Sequence, residues 1–151
     1  MADEWRRGDY LISTDNNLLD ISTIHRVLAD SYWAKGIPLD VVERSIENSL
    51  AFGLYKGSEQ IGFARVITDF ATYGYIGDVF VLEEYRGQGL GVWLMETVMS
   101  HPRLQGFRRW SLLTRDAHWL YSRVGFTPIS APERYMEKTV PNIYIRKDDA
   151  T

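Results

Sequence analysis

The chain has no cysteine among its 151 residues. Disulfides, thiolate metal sites and cysteine nucleophiles are therefore excluded. Its three histidines, His25, His101 and His118, stand apart, without the paired spacing of a metal site. No apolar run approaches the roughly 18 residues of a membrane span, and the N-terminus, MADEWRR, lacks the apolar core of a signal peptide. A cytoplasmic protein is the expectation, with no membrane partner. Positive charge is not in excess: 17 Lys and Arg against 20 Asp and Glu leave a net charge of −3. That speaks against nucleic acid and suits a cationic amine. There is no repeat, linker or low-complexity segment. With 45% hydrophobic and 25% charged residues, the composition is that of an ordinary globular domain. Its length predicts a single domain over 1–151, frayed at about 1–8 and 148–151.

What is present is concentrated in residues 75–100. Tyr75 to Leu82 form a short apolar run rich in β-branched and aromatic residues, which reads as a buried strand. Leu90, Trp93, Leu94, Thr97 and Val98 then recur on one helical face. Between them lies Arg86-Gly87-Gln88-Gly89-Leu90-Gly91. Glycines there allow positive φ and close approach of a ligand. A helix starting in such a loop presents unpaired amides backed by its dipole, which suits an anion, most often phosphate. Two known phosphate loops do not fit. Gly91 is followed by Val92-Trp93, not the Lys-Ser/Thr of a Walker A loop. The third glycine of a dinucleotide fingerprint is replaced by Val92, and no acid occurs over 105–110, where the ribose partner would fall. A turn that uses glycine only to reverse direction is the plain alternative.

The spacing Arg86, two residues, Gly89, one residue, Gly91, directly after a strand, resembles the acyl-CoA pyrophosphate loop of the GNAT superfamily of N-acetyltransferases. Residues 114–126, TRDAHWLYSRVGF, resemble that family's second cofactor segment, with its alanine, tyrosine and Gly-Phe. The two segments lie in family order, and the resemblance runs from about residue 10 to 145. It implies a mixed α/β (α+β) fold. The sheet would be mostly antiparallel, with six to seven strands, helices on both faces and a splayed central parallel strand pair.

The local signals agree with that order. Tyr10 to Ser13 read as a first strand, and Asp20 as the N-cap of a helix through Ile21, Ile24, Val27 and Leu28. Gly36 breaks the pattern and Pro38 opens a second helix with Leu39, Val42 and Ile46 inward. Residues 49–56 and 60–68 alternate around the turn signal Gly57-Ser58, a hairpin. Ile61, Phe63 and Ile67 share a face broken by Arg65. His101-Pro102 stops the central helix. Residues 107–114 predict a strand parallel to 75–82, because a helix crosses between them. Residues 117–124 predict a short helix, Gly125-Phe126 the start of another strand, and 142–146 a closing strand.

For the site, the resemblance implies acetyl-CoA as co-substrate and an amine of a small molecule, or an amino group of a peptide or protein, as acceptor. A homodimer is left open. It places backbone of Phe80, Val81 and Leu82 against the acetyl and pantetheine groups, and Arg86, Gly87, Gln88, Gly89, Leu90 and Gly91 around the pyrophosphate. Transfer would be direct, since no cysteine can hold the acetyl group. Tyr121 matches the family tyrosine that meets the departing thiolate; its helical face with Ala117, Leu120 and Val124 also suits a core residue. Some relatives carry a Glu just before the Asp on the central strand. Here Gly77 stands there, so Asp78 is the carboxylate left, as base, amine anchor or salt-bridge partner. Asp116, where the family often has Asn, either caps a helix or contacts pantetheine. Tyr32, Trp33, Tyr73, Tyr75 and Tyr135 are acceptor-side aromatics by family position. Arg65 interrupts an apolar face, so it needs a partner: Asp78 or a substrate carboxylate. A non-catalytic acyl-CoA sensor is the rival function, favoured if Tyr32 and Trp33 plug the cleft. A structural domain that binds no CoA is a second.

Overall fold

The computed structural model describes residues 2–145. One six-stranded sheet runs in sequence order: β1 (Glu4–Arg7), β2 (Tyr10–Ser13), β3 (Leu50–Lys56), β4 (Glu59–Thr68), β5 (Tyr73–Val81) and β6 (Arg109–Leu112). Neighbours are antiparallel except β5 and β6, which run parallel. The parallel pair requires a crossover, and α3 (Leu90–Ser100) supplies it. α1 (Ile21–Ala29) and α2 (Leu39–Glu47) connect β2 to β3, and α4 (His118–Ser122) follows β6. Among the described residues, no helix is long and apolar enough to cross a membrane.

The alternation of β3 sends its side chains to two cores. Phe52 and Leu54 pack with Leu90, Leu94, Met95 and Val98 of α3, while Ala51 packs with Ile24, Leu28, Val42 and Ile46 of α1 and α2. Helices therefore cover both faces. On β4, Phe63 belongs to the α1/α2 face, Ile61 packs with the α3 cluster, and Ile67 is largely exposed. The helix ends follow local chemistry. The Asp20 carboxylate accepts from Thr23 N–H (3.1 Å) and from its hydroxyl (2.8 Å), which lowers the Asp20 pKa. α3 stops because His101 precedes Pro102 and takes an extended conformation.

Three segments differ from the sequence expectation. Residues 4–7, expected to fray, form a strand instead: Glu4–Arg7 pairs with Tyr10–Ser13. The Trp5 ring, near Phe52 and His101, anchors it, and Asp3 accepts from His101 Nε2 at 2.9 Å. Gly125-Phe126 starts no strand. Gly125, at φ +97°, ends α4: Phe126 N–H donates to the Tyr121 carbonyl and Gly125 N–H to that of Ser122. This is the Schellman arrangement, and its usual apolar contact sets the Phe126 ring edge-on to Tyr121. Asn142 to Ile145 form a turn instead of a closing strand. Arg146 and the tail 148–151 lie outside the described residues.

Among the described residues, the Tyr55 hydroxyl is buried without a hydrogen-bond partner, and burial raises its pKa. An unpaired buried hydroxyl costs about 1–3 kcal/mol. Tyr55→Phe is accordingly expected to raise the melting temperature; a lower melt would show that the hydroxyl is paired.

Candidate active site

The β4–β5 ladder carries an irregularity at the centre of the sheet. Phe63 pairs with Phe80 and Arg65 with Gly77, so Asp78 and Val79 together face Ala64. This is a β-bulge, which bends a strand and re-aims its side chains. Asp78 sits there at φ +55°, an uncommon conformation for a residue other than glycine. Two donors hold it: Arg65 Nε to Oδ2 and Trp33 Nε1 to Oδ1, both at 2.9 Å. The Arg65 and Asp78 side chains are only 15% and 11% exposed.

The same region is where the parallel pair separates. β5 and β6 pair only from Tyr73 with Arg109 to Ile76 with Leu112. Beyond that, Gly77 to Val79 on one side and Leu113 to Ala117 on the other line a cleft of about 720 Å³, within the size range of small-ligand sites. Tyr32, Trp33, Arg65, Tyr75, Asp78, Asp116 and Tyr121 all line it, so these seven predicted site residues are brought together. Tyr32 and Trp33 stand at its rim, 51% and 46% exposed, instead of filling it. They strap the α1–α2 loop across the cleft. Trp33 reaches Asp78, while Tyr32 accepts from Arg115 N–H at 3.2 Å beneath the Arg115 guanidinium, 3.9 Å from the ring centre.

Tyr121 is 9% exposed. Burial, with smaller contributions from Tyr32 and Tyr75, pushes its pKa up to about 12. Tyr121 lines the cleft, and its hydroxyl makes no hydrogen bond among the described residues. Burial also raises the pKa of Tyr75, with Asp78 adding to it.

The glycine loop continues from the end of β5, outside the cleft lining. Gly87 and Gly89 take φ of +81° and +77°, and nothing lies within 4 Å of where a Cβ on either would point. Gly89 is the N-cap of α3 and supplies no side chain to its first amides. A left-handed glycine and uncapped amides bordering open space fit an anionic ligand. Leu90 begins the helix and is buried; Gly91 lies within it, where a Cβ would touch only Leu120, at 3.8 Å. Two side chains fold back on the protein: Arg86 Nε donates to the Val81 carbonyl (2.9 Å), and Gln88 accepts from the Tyr10 hydroxyl (2.9 Å). Phe80 packs on Phe63 in the core, so only its backbone is available. Leu82 N–H donates to Ile61 at 2.7 Å. Alternation along the strand then turns the Val81 N–H away from β4, toward the side β6 has left.

Other expectations are corrected. Asp116 does not cap α4: Ala117 is its N-cap residue, and Ala117 N–H is received by Thr114 Oγ1 at 3.0 Å. Thr114 stands three residues before that amide, the offset at which a side-chain oxygen accepts from the backbone, whereas Asp116 is adjacent to it. Tyr73 bonds to Ser111 and Tyr135 lies near Arg109, both away from the cleft. His25 bonds to the Ile37 carbonyl (2.9 Å). Sequence reasoning assigned no role to Arg115, Thr114, Ser45 or Tyr144, which also line the cleft. Arg115 and Thr114 stood inside the recognised segment; Ser45 and Tyr144 carried no signal of their own.

Comparison with known proteins agrees with this geometry. The acetyltransferase (GNAT) domain family matches residues 47–128. A Gibberella zeae protein, FG08082, provisionally named an acetyltransferase, is 35% identical over 79% of each chain. A crystal structure from Xanthomonas campestris pv. campestris, provisionally assigned as an acetyltransferase of the GNAT family, superposes with a TM-score of 0.88. It is 55% identical, covering 91% of this chain and 97% of that one. A Clostridium acetobutylicum protein solved with acetyl-CoA shares the fold at a TM-score of 0.63 and 16% identity, covering 92% and 96% of the two chains. The family match, the identity and the superposition agree, and this chain belongs to the GNAT family of acetyltransferases.

Proposed function

We propose that the chain transfers an acetyl group from acetyl-CoA directly to a primary amine of a small molecule or to an amino group of a peptide. The observation that carries this is Tyr121. Tyr121 lines an open cleft in the gap between β5 and the segment after β6, and its hydroxyl is bonded to no group among the described residues. The open rim also disfavours the sensor reading, which a cleft plugged by Tyr32 and Trp33 would have favoured.

When bound, acetyl-CoA supplies a thioester carbonyl activated for attack by an amine. The protein's own groups divide the remaining tasks. The amides at the start of α3, with Gly87 and Gly89 giving access, hold the pyrophosphate. Val81 N–H, turned into the gap, receives the carbonyl oxygen. Asp78 receives the amine. A carboxylate has about four lone-pair sites, and Arg65 and Trp33 occupy two of them. The new C–N bond forms as the C–S bond breaks, and the amine proton leaves by Asp78 or a water beside it. Tyr121 meets the sulfur. Its pKa near 12 lies about 3.5 units above an ordinary thiol, so full proton transfer is uphill by roughly 5 kcal/mol. Tyr121 therefore acts by donating a hydrogen bond, and the thiolate takes its proton from solvent.

Free CoA release from acetyl-CoA with a panel of amines tests the reading. Because the chain has no cysteine, a thiol reagent sees only the product. Release above the amine-free rate is expected for at least one amine; none, with acetyl-CoA bound, would favour the sensor. Asp78→Asn is expected to raise the amine KM or shift the rising limb of the pH–rate profile, with acetyl-CoA affinity unchanged. A fall in acetyl-CoA affinity instead would make Asp78 a support of the cofactor strand.

A further inference from the structure

Arg65 is the feature of the cleft that acetyl transfer to a simple amine leaves unused. It enters from β4 on the α1/α2 side, with Ala34, Ile37 and Val41 as apolar neighbours in the cleft wall. A guanidinium carries five N–H donors in a fixed fork. Here Nε alone makes the short bond to Asp78, and Nη1 has only a 3.5 Å contact to Ser49 Oγ. Among the described residues, no protein acceptor is bonded to Nη2. Buried polar groups are usually paired. A purely structural arginine at 15% exposure would be expected to spend more of its fork.

The charges around it narrow what can bind. Among the described residues, the acids lining the cleft are Asp78 and Asp116, and the cations are Arg65 and Arg115. The Asp78 charge is already offset by Arg65 at 2.9 Å. An ammonium alone would meet a nearly neutral pair and lie close to a like charge, in surroundings that screen less than water does. An acceptor that brings its own anion removes that conflict, because its carboxylate meets the spare guanidinium N–H groups while its amine meets Asp78. Arg presents two parallel donors to a carboxylate, and such charge-assisted pairs are strong. The two protein charges are immediate neighbours, so the ligand's charges must be neighbours too. That describes a free amino acid, with amine and carboxylate on the same or adjacent carbons. An ordinary peptide N-terminus, whose carboxyl is tied up in an amide, does not meet it. Tyr32, Trp33 and Tyr75 offer aromatic surface to the rest of the molecule.

We propose that the acceptor is a small amino acid or similar zwitterion, its carboxylate held by Arg65 and its amine presented at Asp78. This rests on the acetyltransferase reading, and the experiment separates the two. Free CoA release is followed on the full chain with acetyl-CoA for L-amino acids, for their carboxamides and for the matched amines lacking the carboxyl group. Thermal shift with acetyl-CoA runs beside it. Each reactive amino acid is expected to exceed its amide and amine by about ten- to a hundredfold in kcat/KM, the worth of one charged hydrogen-bonded contact. Arg65→Lys keeps the charge beside Asp78 but loses the fork, and is expected to bring acid and amine to the same level. Should that variant fail to fold, the wild-type comparison still decides. Amides or amines used as well as the acids would overturn the proposal. So would acetyl-CoA binding with no amino acid turned over, which leaves the cofactor site standing. Absence of any acetyl-CoA shift would remove the acetyltransferase reading itself, and this inference with it.

Discussion

Tyr121→Phe is expected to lower turnover by about a hundredfold, the lower end of what a positioned proton donor contributes, while the protein keeps its fold and its affinity for CoA. The reason lies in how Tyr121 is held. Its ring is fixed by the end of α4, where the Gly125 turn brings Phe126 against it, and phenylalanine preserves that packing. Its hydroxyl bonds to no described protein group, so deleting it strands no partner and the melting temperature should stay within about 0.5 kcal/mol equivalent of the parent. The pH profile offers a further check. With the pKa pushed up to about 12, Tyr121 remains protonated through any practical assay range. Wild type and variant should then share the same alkaline limb, differing in height and not in shape. Steady-state CoA release from pH 6 to 10 measures both features. Unchanged turnover would remove Tyr121 from the mechanism.

The second large effect is expected in the glycine loop. If backbone amides hold the pyrophosphate, crowding their approach should hurt more than removing a side-chain charge. Gly89→Val and Gly91→Val are expected to weaken CoA by at least about tenfold, or roughly 1.4 kcal/mol, and far more than Arg86→Ala does. Arg86 spends its Nε on the Val81 carbonyl, and any charge it offers the ligand is exposed and screened by salt. The two glycines fail for different reasons. Gly89 has φ +77° with open space around it, so a β-branched residue strains the backbone and disturbs the first turn of α3. Gly91 is helical, and an added Cβ meets only Leu120 at ordinary contact distance. Gly91→Ala thus separates ligand crowding from strain: its ligand-free melt should hold or rise, given the helix preference for alanine, while CoA affinity falls. Calorimetric CoA titrations beside ligand-free melts make the comparison. If Arg86→Ala is the weakest binder, side-chain charge carries the site. If the glycine variants unfold, the glycines serve the turn alone.

Legibility in the sequence followed the range of the interactions involved. The Arg86–Gly91 loop, the Asp20 cap, the Gly57-Ser58 hairpin turn and the helix stop at His101-Pro102 could be read because each depends on residues within about four positions of one another. The parallel neighbour of β5 could be read because a crossover helix leaves few alternatives. Gly125-Phe126 misled because a glycine before an apolar residue opens a strand or closes a helix with equal ease, and the carbonyls of α4 decide between them. Strand β1 was missed because its anchor, Trp5, rests on Phe52 and His101, which lie far along the chain.

The sequence by itself determined the family and the order of the strands and helices from Tyr10 to Ser122, since these reside in contiguous motifs. Only the tertiary structure decided how the acceptor side is built. The bulge that sets Asp78 at positive φ exists because β4 and β5 differ by one residue in register. The bonds that hold it come from Arg65, 13 residues away, and Trp33, 45 residues away. No local pattern encodes such a meeting, because the free energy that favours it arises only once four separate elements are packed around one cleft.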